Sequence, residues 1–175
     1  MRRAVSSELE TERLMLRWLT QDDAELMLAI WNDPAFIQHV GDRGIRGQGA
    51  ARLAIEKNIL ELYHQHGYGP YRVAGRNDDA PLGICGLFKR ENLVNPDLGY
   101  ALLPDHWGKG YAIEAARCVL QHARDGLQLP CVDAIVSPSN RASIRLLEKL
   151  GMQRRRAIRM PGEDSDRDLF SIDFA

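Results

Sequence analysis

The segment WGKGYA, Trp107 to Ala112, places two glycines one residue apart between an apolar run and the start of a helical pattern. A helix leaves its first amide groups without intrahelical partners, and its dipole favours an anion there. Gly108 and Gly110 remove side chains from that end, so a ligand can approach the backbone itself. A diphosphate suits such a mouth, with Lys109 as an added positive charge. Two common diphosphate loops do not fit. A Walker loop needs GxxxxGK followed by Ser or Thr, a string absent from the chain. The dinucleotide fingerprint GxGxxG would need a glycine where Ile113 stands. A tight strand-to-helix turn that binds nothing is the other reading of the two glycines taken alone.

The remaining chemistry-bearing residues form weaker patterns. His39, His64, His66, His106 and His122 make no metal constellation, and the His64-x-His66 pair lacks further ligands at zinc spacing. Cys85, Cys118 and Cys131 are odd in number and show no CxxC spacing, which fits free thiols in a reducing compartment, each reading as a small core side chain. Arg154-Arg155-Arg156 is the one dense basic cluster. It reads as a solvated strand end, with contact to an anionic ligand as the alternative.

These residues need elements to hold them. Leu14, Leu16 and Trp18 alternate with Arg13, Met15 and Arg17, the pattern of a half-buried strand. Thr20 then offers a helix N-cap, with Asp23 three residues on to complete a capping box. Leu26, Met27, Ile30 and Trp31 follow at helical spacing, and Pro34 is expected to end that helix. After the glycine-rich loop from Gly41 to Gly49, a second helix carries Leu53, Ile55, Ile59, Leu60, Leu62 and Tyr63 as its apolar stripe and stops at Gly67. GPYRVAGR and PLGICGLFKRE read as a hairpin around Asn77–Ala80, and DLGYALL as a third strand. A helix from about Gly110 to Arg124 turns Ile113, Ala116, Val119, Leu120 and Ala123 inward. The strand Cys131–Ser137, a helix bearing Ile144, Leu147 and Leu150, and a closing hairpin around PGEDSD complete the chain. The expected order is β-α-α-β-β-β-α-β-α-β-β, an α+β arrangement of mixed layers in a single domain over residues 1–175.

Composition narrows the function classes. Apolar residues at 45% and charged residues at 27% are ordinary for a globule with a real core. A net charge of -1 argues against a protein built to coat nucleic acid. No run approaches the ~20 apolar residues of a membrane span, and MRRAVSSELETERL has no apolar stretch behind its arginines. The expectation is a cytoplasmic, soluble protein without nucleic-acid or membrane partners; monomer and homodimer both stay open.

Three ordered motifs carry a family resemblance. LETERLMLR (Leu9–Arg17), WGKGYAIEA (Trp107–Ala115) and NRASIRLLEKLGM (Asn140–Met152) resemble the GNAT superfamily of N-acetyltransferases, and within it the RimJ/RimL-like branch that acetylates ribosomal-protein N-termini. The superfamily's loop reads Gln/Arg-x-x-Gly-x-Gly/Ala. Gly110 and Ala112 match, while Trp107 takes the Gln/Arg place, a departure frequent in this branch. The resemblance implies a mostly antiparallel sheet with two splayed parallel strands at its centre and helices on both faces. It implies acetyl-CoA as cosubstrate and no metal. The diphosphate would lie on Trp107, Gly108, Lys109, Gly110, Tyr111 and Ala112, and the pantetheine arm on the main chain of Ala101, Leu102 and Leu103, as an added strand. Asn140 would contact the same arm or cap its helix, two compatible roles.

For the chemistry, the resemblance offers Asp97 as the base that deprotonates the amine, with a strand-start turn residue as the plain alternative. Glu163 is a second candidate. Leu147 stands where many members carry a Tyr that protonates the departing thiolate, so Ser143 is left to donate a hydrogen bond there. Trp31, Phe36, Tyr68 and Tyr71 fall in segments that wall the acceptor site, where each could equally be core packing. The implied activity is acetyl transfer to a primary amine, possibly a protein N-terminal α-amine. A small-molecule amine as acceptor, or a CoA-binding module without catalysis, are the alternatives.

Overall fold

A computed structural model describes residues 5–174. Among these, eight strands form one sheet in the order β1-β2-β3-β4-β5-β6-β8-β7. The strands are β1 (Glu8–Glu10), β2 (Leu14–Trp18), β3 (Pro70–Gly75), β4 (Pro81–Phe88), β5 (Asp97–Leu102), β6 (Cys131–Val136), β7 (Gln153–Arg159) and β8 (Asp166–Asp173). The helices are α1 (Ala24–Trp31), α2 (Pro34–His39), α3 (Gln48–Ile55), α4 (Glu61–His66), α5 (Tyr111–Asp125) and α6 (Arg141–Lys149). All neighbouring strands run antiparallel except β5 and β6.

The core divides across the sheet. On one face Leu14, Leu16, Val73, Cys85 and Leu87 meet Ala116, Val119 and Ala123 of α5 and Leu147 of α6. On the other, Ile84 meets Met27 and Ile30 of α1, Ala51 and Ile55 of α3, and Tyr63 of α4. β4 is therefore buried on both sides, from Leu82 to Leu87, which is why it reads as a continuous apolar run instead of an alternating one.

Four local expectations are corrected. The short polar strand β1 carries no alternation to betray it and forms by pairing its backbone with β2. Pro34 does not merely end a helix: α1 stops at Trp31, and Pro34 opens α2 behind the N-cap Asp33, whose carboxylate accepts the amides of Ala35 and Phe36. Proline suits that first position because its missing N–H had no partner to lose. The long second helix is interrupted by a π-turn, Glu56–Leu60. Ala51, Ile55, Ile59 and Tyr63 are its buried residues. Their constant spacing of four would drift by about 40° per step on an ideal α-helix, and the wider turn absorbs that drift. Leu53, expected in the stripe, is 54% exposed as a result. Cys118 and Cys131 are only partly buried, unlike Cys85.

Thr20 and Asp23 form the expected capping box. Asp23 does more than cap. It accepts two 2.8 Å hydrogen bonds from Arg17 of β2 and one of 2.8 Å from the Thr20 amide, and lies 3.6 Å from Arg72 of β3. Burial alone would raise its pKa, but the Arg17 and Thr20 hydrogen bonds outweigh burial and hold it below the usual carboxylate value. The stabilisation is thus fully present above the unfolded-state pKa and is lost as pH falls through the folded one. Asp23→Ala leaves two guanidinium groups short of a buried partner and is expected to cost about 3 kcal/mol, read as a lower urea midpoint. The deficit should shrink as the acid limb is entered; an unchanged midpoint at neutral pH would contradict it.

Candidate active site

β5 and β6 share one register position, Asp97 opposite Asp133, with the Asp133 amide donating to the Pro96 carbonyl at 2.9 Å. Beyond it the two strands part. A cleft of about 510 Å³ opens there, walled by Tyr100, Ala101 and Leu102 of β5, the loop to α5, and Asn140, Ser143 and Leu146 at the start of α6. Ile30, Asp33, Phe36 and His39 of α1 and α2 close its other end.

Strand alternation decides which backbone groups of β5 face this opening. Leu103 donates its amide to Leu82 at 2.8 Å, so residues 103, 101 and 99 turn their polar groups toward β4, and Tyr100 and Leu102 turn theirs into the V. Ala101 and Leu103, expected to pair with a ligand arm, are therefore committed to the sheet, and Leu102 stays available only through its amide. Its carbonyl accepts the Trp107 indole N–H at 2.8 Å. This is what Trp107 does at the Gln/Arg place of the motif: it ties the loop to the strand end, with half of its own surface still exposed. Lys109 folds back onto the Asp105 carbonyl at 3.0 Å.

The loop itself is built to stay open. Gly108 and Gly110 both occupy the left-handed region, at φ 72° and 80°, where a side chain would be strained. Gly110 is the N-cap of α5 and has no side chain to cap it. The first i→i−4 bond runs from the Glu114 amide to the Gly110 carbonyl at 3.2 Å, so the amides of Tyr111, Ala112 and Ile113 have no intrahelical acceptor. A diphosphate fits this cradle.

A brace from the start of β2 fixes the loop from behind. Arg13 donates through Nη1 to the Lys109 carbonyl at 3.0 Å and through Nε to Glu114 at 2.7 Å, and its guanidinium lies 4.5 Å above the Tyr111 ring. Glu114 also accepts the Thr11 hydroxyl at 2.5 Å and the Arg13 amide at 3.0 Å. Burial works to raise the Glu114 pKa, but the hydrogen bonds from Thr11 and Arg13 more than offset it, and the net direction is down. Neither Arg13 nor Glu114 stands out in the sequence as a site residue, although both lie inside the family motifs. Their pairing across a separation of 101 residues leaves no local trace.

The other candidates separate into those brought to the cleft and those kept from it. Asn140 caps α6, its Oδ1 accepting the Ser143 amide at 3.2 Å, and lines the cleft. Ser143 lines it too, with its Oγ 2.5 Å from the Tyr100 hydroxyl. Burial pushes Tyr100 up to about 12; no motif had singled this residue out. Leu147 is buried in the core at 1% exposure and points away. Asp97 is also only 1% exposed and is not part of the cleft wall. Its Oδ2 takes the Arg90 Nε at 3.1 Å, its Oδ1 has no partner among the described residues, and burial raises its pKa against the opposing pull of Arg90. The base expected at Asp97 thus sits beneath the V rather than in it. Glu163 is held by Arg167 at 2.7 and 3.0 Å, and Arg167 also donates to the His39 and Val40 carbonyls. That makes Glu163 part of a latch between the closing hairpin and α2. Of the four aromatics expected around the acceptor, Phe36 lines the cleft, while Trp31, Tyr68 and Tyr71 are core.

Comparison with known proteins agrees with this geometry. Residues 13–153 match the family described as Acetyltransferase (GNAT) domain. An N-acetyltransferase named p20 from Bacillus licheniformis is 32% identical over 86% of this chain and 85% of its own. A crystal structure of an acetyltransferase from Agrobacterium tumefaciens superposes with a TM-score of 0.79 at 26% identity, covering 94% and 93% of the two chains. RimL, a ribosomal L7/L12 α-N-protein acetyltransferase solved in complex with coenzyme A, shares the fold at a TM-score of 0.79 and 16% identity, over 95% and 97%. The chain belongs to the GNAT acetyltransferase family. It is an acetyl-CoA-dependent N-acetyltransferase, and the open amides before α5 are where its cosubstrate's diphosphate fits.

Arg13→Met removes the donor that holds the Lys109 carbonyl. Losing a charge-assisted hydrogen bond of about 1.5 kcal/mol should raise the acetyl-CoA Kd about tenfold in calorimetric titration. A Kd that does not move would show that the loop keeps its shape without the brace.

Proposed function

We propose that this enzyme acetylates the α-amine of a polypeptide N-terminus, by direct attack of the neutral amine on the acetyl-CoA thioester. The observation that carries this reading is the state of the cleft's carboxylates. Asp97 is turned to Arg90 below the V and Glu163 is clasped by Arg167, while Asp33, which does line the cleft, caps α2. None of these is free to act as a strong base. A lysine side chain, with a reference pKa of ~10.4, is almost wholly charged at neutral pH and would need one; a peptide α-amine, at ~7.7–8.0, is already roughly a tenth neutral. An acceptor that asks little of a base fits this site best. That RimL, of the same fold, is named for acetylating a protein α-amine points the same way.

In this reading the amides of Gly108, Lys109, Gly110, Tyr111 and Ala112 hold the diphosphate. The Leu102 amide and the Tyr100 main-chain groups pair with the pantetheine arm, and the Asn140 side-chain amide supports it. Ser143 donates a hydrogen bond to the departing sulfur. Phe36, Ile30 and His39 bound the space for the acceptor. A V-facing amide directed at the thioester carbonyl would act as an oxyanion donor, worth roughly 3 kcal/mol.

An acceptor panel with a free-thiol readout tests the substrate class. Short peptides with a free N-terminus are expected to release CoA at least about tenfold faster than the same peptides with a blocked N-terminus and one internal lysine. Thiol release confined to polyamines, aminoglycosides or free amino acids would transfer the assignment to a small-molecule acceptor.

A further inference from the structure

We propose that Tyr100 is a positioning residue for catalysis: its hydroxyl donates to Ser143 Oγ and so aims the single Ser143 proton at the sulfur of the departing coenzyme. The inference rests on the acetyl-transfer reading of the cleft and adds to it a residue from a different element.

The contact spans the V. Tyr100 belongs to β5 and Ser143 to the first turn of α6, 43 residues apart, and their oxygens lie 2.5 Å from each other. Both residues line the cleft. The phenol is the more acidic partner, and burial keeps it protonated at neutral pH, so it is the donor of the pair. A serine hydroxyl has one proton and two lone pairs. With one lone pair filled by Tyr100, that proton has to find an acceptor elsewhere. The Ser143 amide is already pinned by Asn140 Oδ1 at 3.2 Å, which fixes where the side chain begins. Without Tyr100 the hydroxyl would be free to bend back to a carbonyl of the preceding turn, the usual resort of a serine on a helix.

The step balances without a further reagent. The amine nitrogen forms its bond to the acetyl carbon, the carbon–sulfur bond breaks, and its electron pair goes to sulfur. The surplus amine proton passes to solvent. The thiolate, stabilised as it forms by the Ser143 hydrogen bond, takes a proton from solvent on release. Tyr100 keeps its own proton throughout and acts only by orienting and polarising the serine.

A double-mutant cycle tests this, using single-turnover release of CoA thiol from the full chain with the best amine of the acceptor panel. Ser143→Ala and Tyr100→Phe are each expected to slow the step about tenfold, the worth of one hydrogen bond to a developing charge. The acetyl-CoA Kd should stay within about twofold. The Tyr100→Phe/Ser143→Ala double variant should be no slower than Ser143→Ala alone, because the phenol has nothing left to position. A roughly hundredfold loss in the double variant, the product of two independent effects, would overturn the inference and make Tyr100 a packing residue. So would a Tyr100→Phe rate equal to the parent's. If the parent enzyme binds acetyl-CoA but releases no thiol with any amine, the acetyl-transfer reading fails first and takes this inference with it.

Discussion

Two neighbouring parallel strands that pair at one point and then separate are the constraint on which the rest of this molecule depends. The Asp133 amide on the Pro96 carbonyl is the last shared ladder contact between β5 and β6. Past it, β5 shows water the polar groups that an ordinary sheet would have spent on its neighbour. Unpaired backbone is costly inside a protein, so the opening is tolerable only as a solvated cleft that a strand-like ligand can fill. The buried carboxylates at its foot, Asp97 with Arg90 and Asp133 with Ser171 at 2.6 Å, make the junction polar. They give the point of divergence a hydrogen-bonded footing that apolar packing would not direct.

The other end of the cleft is made rigid from outside. An anion site composed of backbone amides works only if the loop presenting them keeps its shape when empty, since any reordering on binding is subtracted from affinity. Here the shape comes from glycines at positive φ, from the Trp107 indole on the Leu102 carbonyl, and from Arg13 and Glu114 behind the loop. Arg13 and Glu114 are partly exposed, so their ion pair alone is worth little. The value lies in geometry: one guanidinium touches a carbonyl, a carboxylate and a ring at once. The polar atoms that could have folded inward are satisfied on the outer side, and the amides are left facing the cleft.

Much of this was legible before any coordinates. The strands and most helices followed from alternation and from the 3.6-residue stripe. Thr20 and Asp23 announced their capping box, and the glycine pair announced an open helix mouth. Local pattern failed where a tertiary partner decides. β1 has no apolar code because it is an edge held by backbone pairing. Leu53 and Leu147 were misjudged as site or stripe residues because helix phase, shifted by the π-turn in one case and set by the core in the other, chose a different face. Asp97 sits at the expected strand start, yet its burial against Arg90 is a matter of contacts that spacing does not encode. Tyr100 was the opposite case: an ordinary residue of an apolar run, given meaning only by the helix that passes in front of it.

The π-turn between α3 and α4 carries a consequence for how this wall of the protein can vary. Tyr63, just past it, stacks on Trp18 at 4.2 Å, accepts the Leu19 amide at 3.0 Å and donates to the Pro70 carbonyl. Deleting one residue from Glu56–Leu60 would let the segment relax into plain α-helix, a locally better geometry, yet would swing everything after it by about 100° relative to what precedes. The tyrosine would leave its three partners. Homologous chains can therefore diverge freely in letters on the outer side of this segment, while its length is locked by angular phase, and an insertion or deletion there would have to come in compensating pairs.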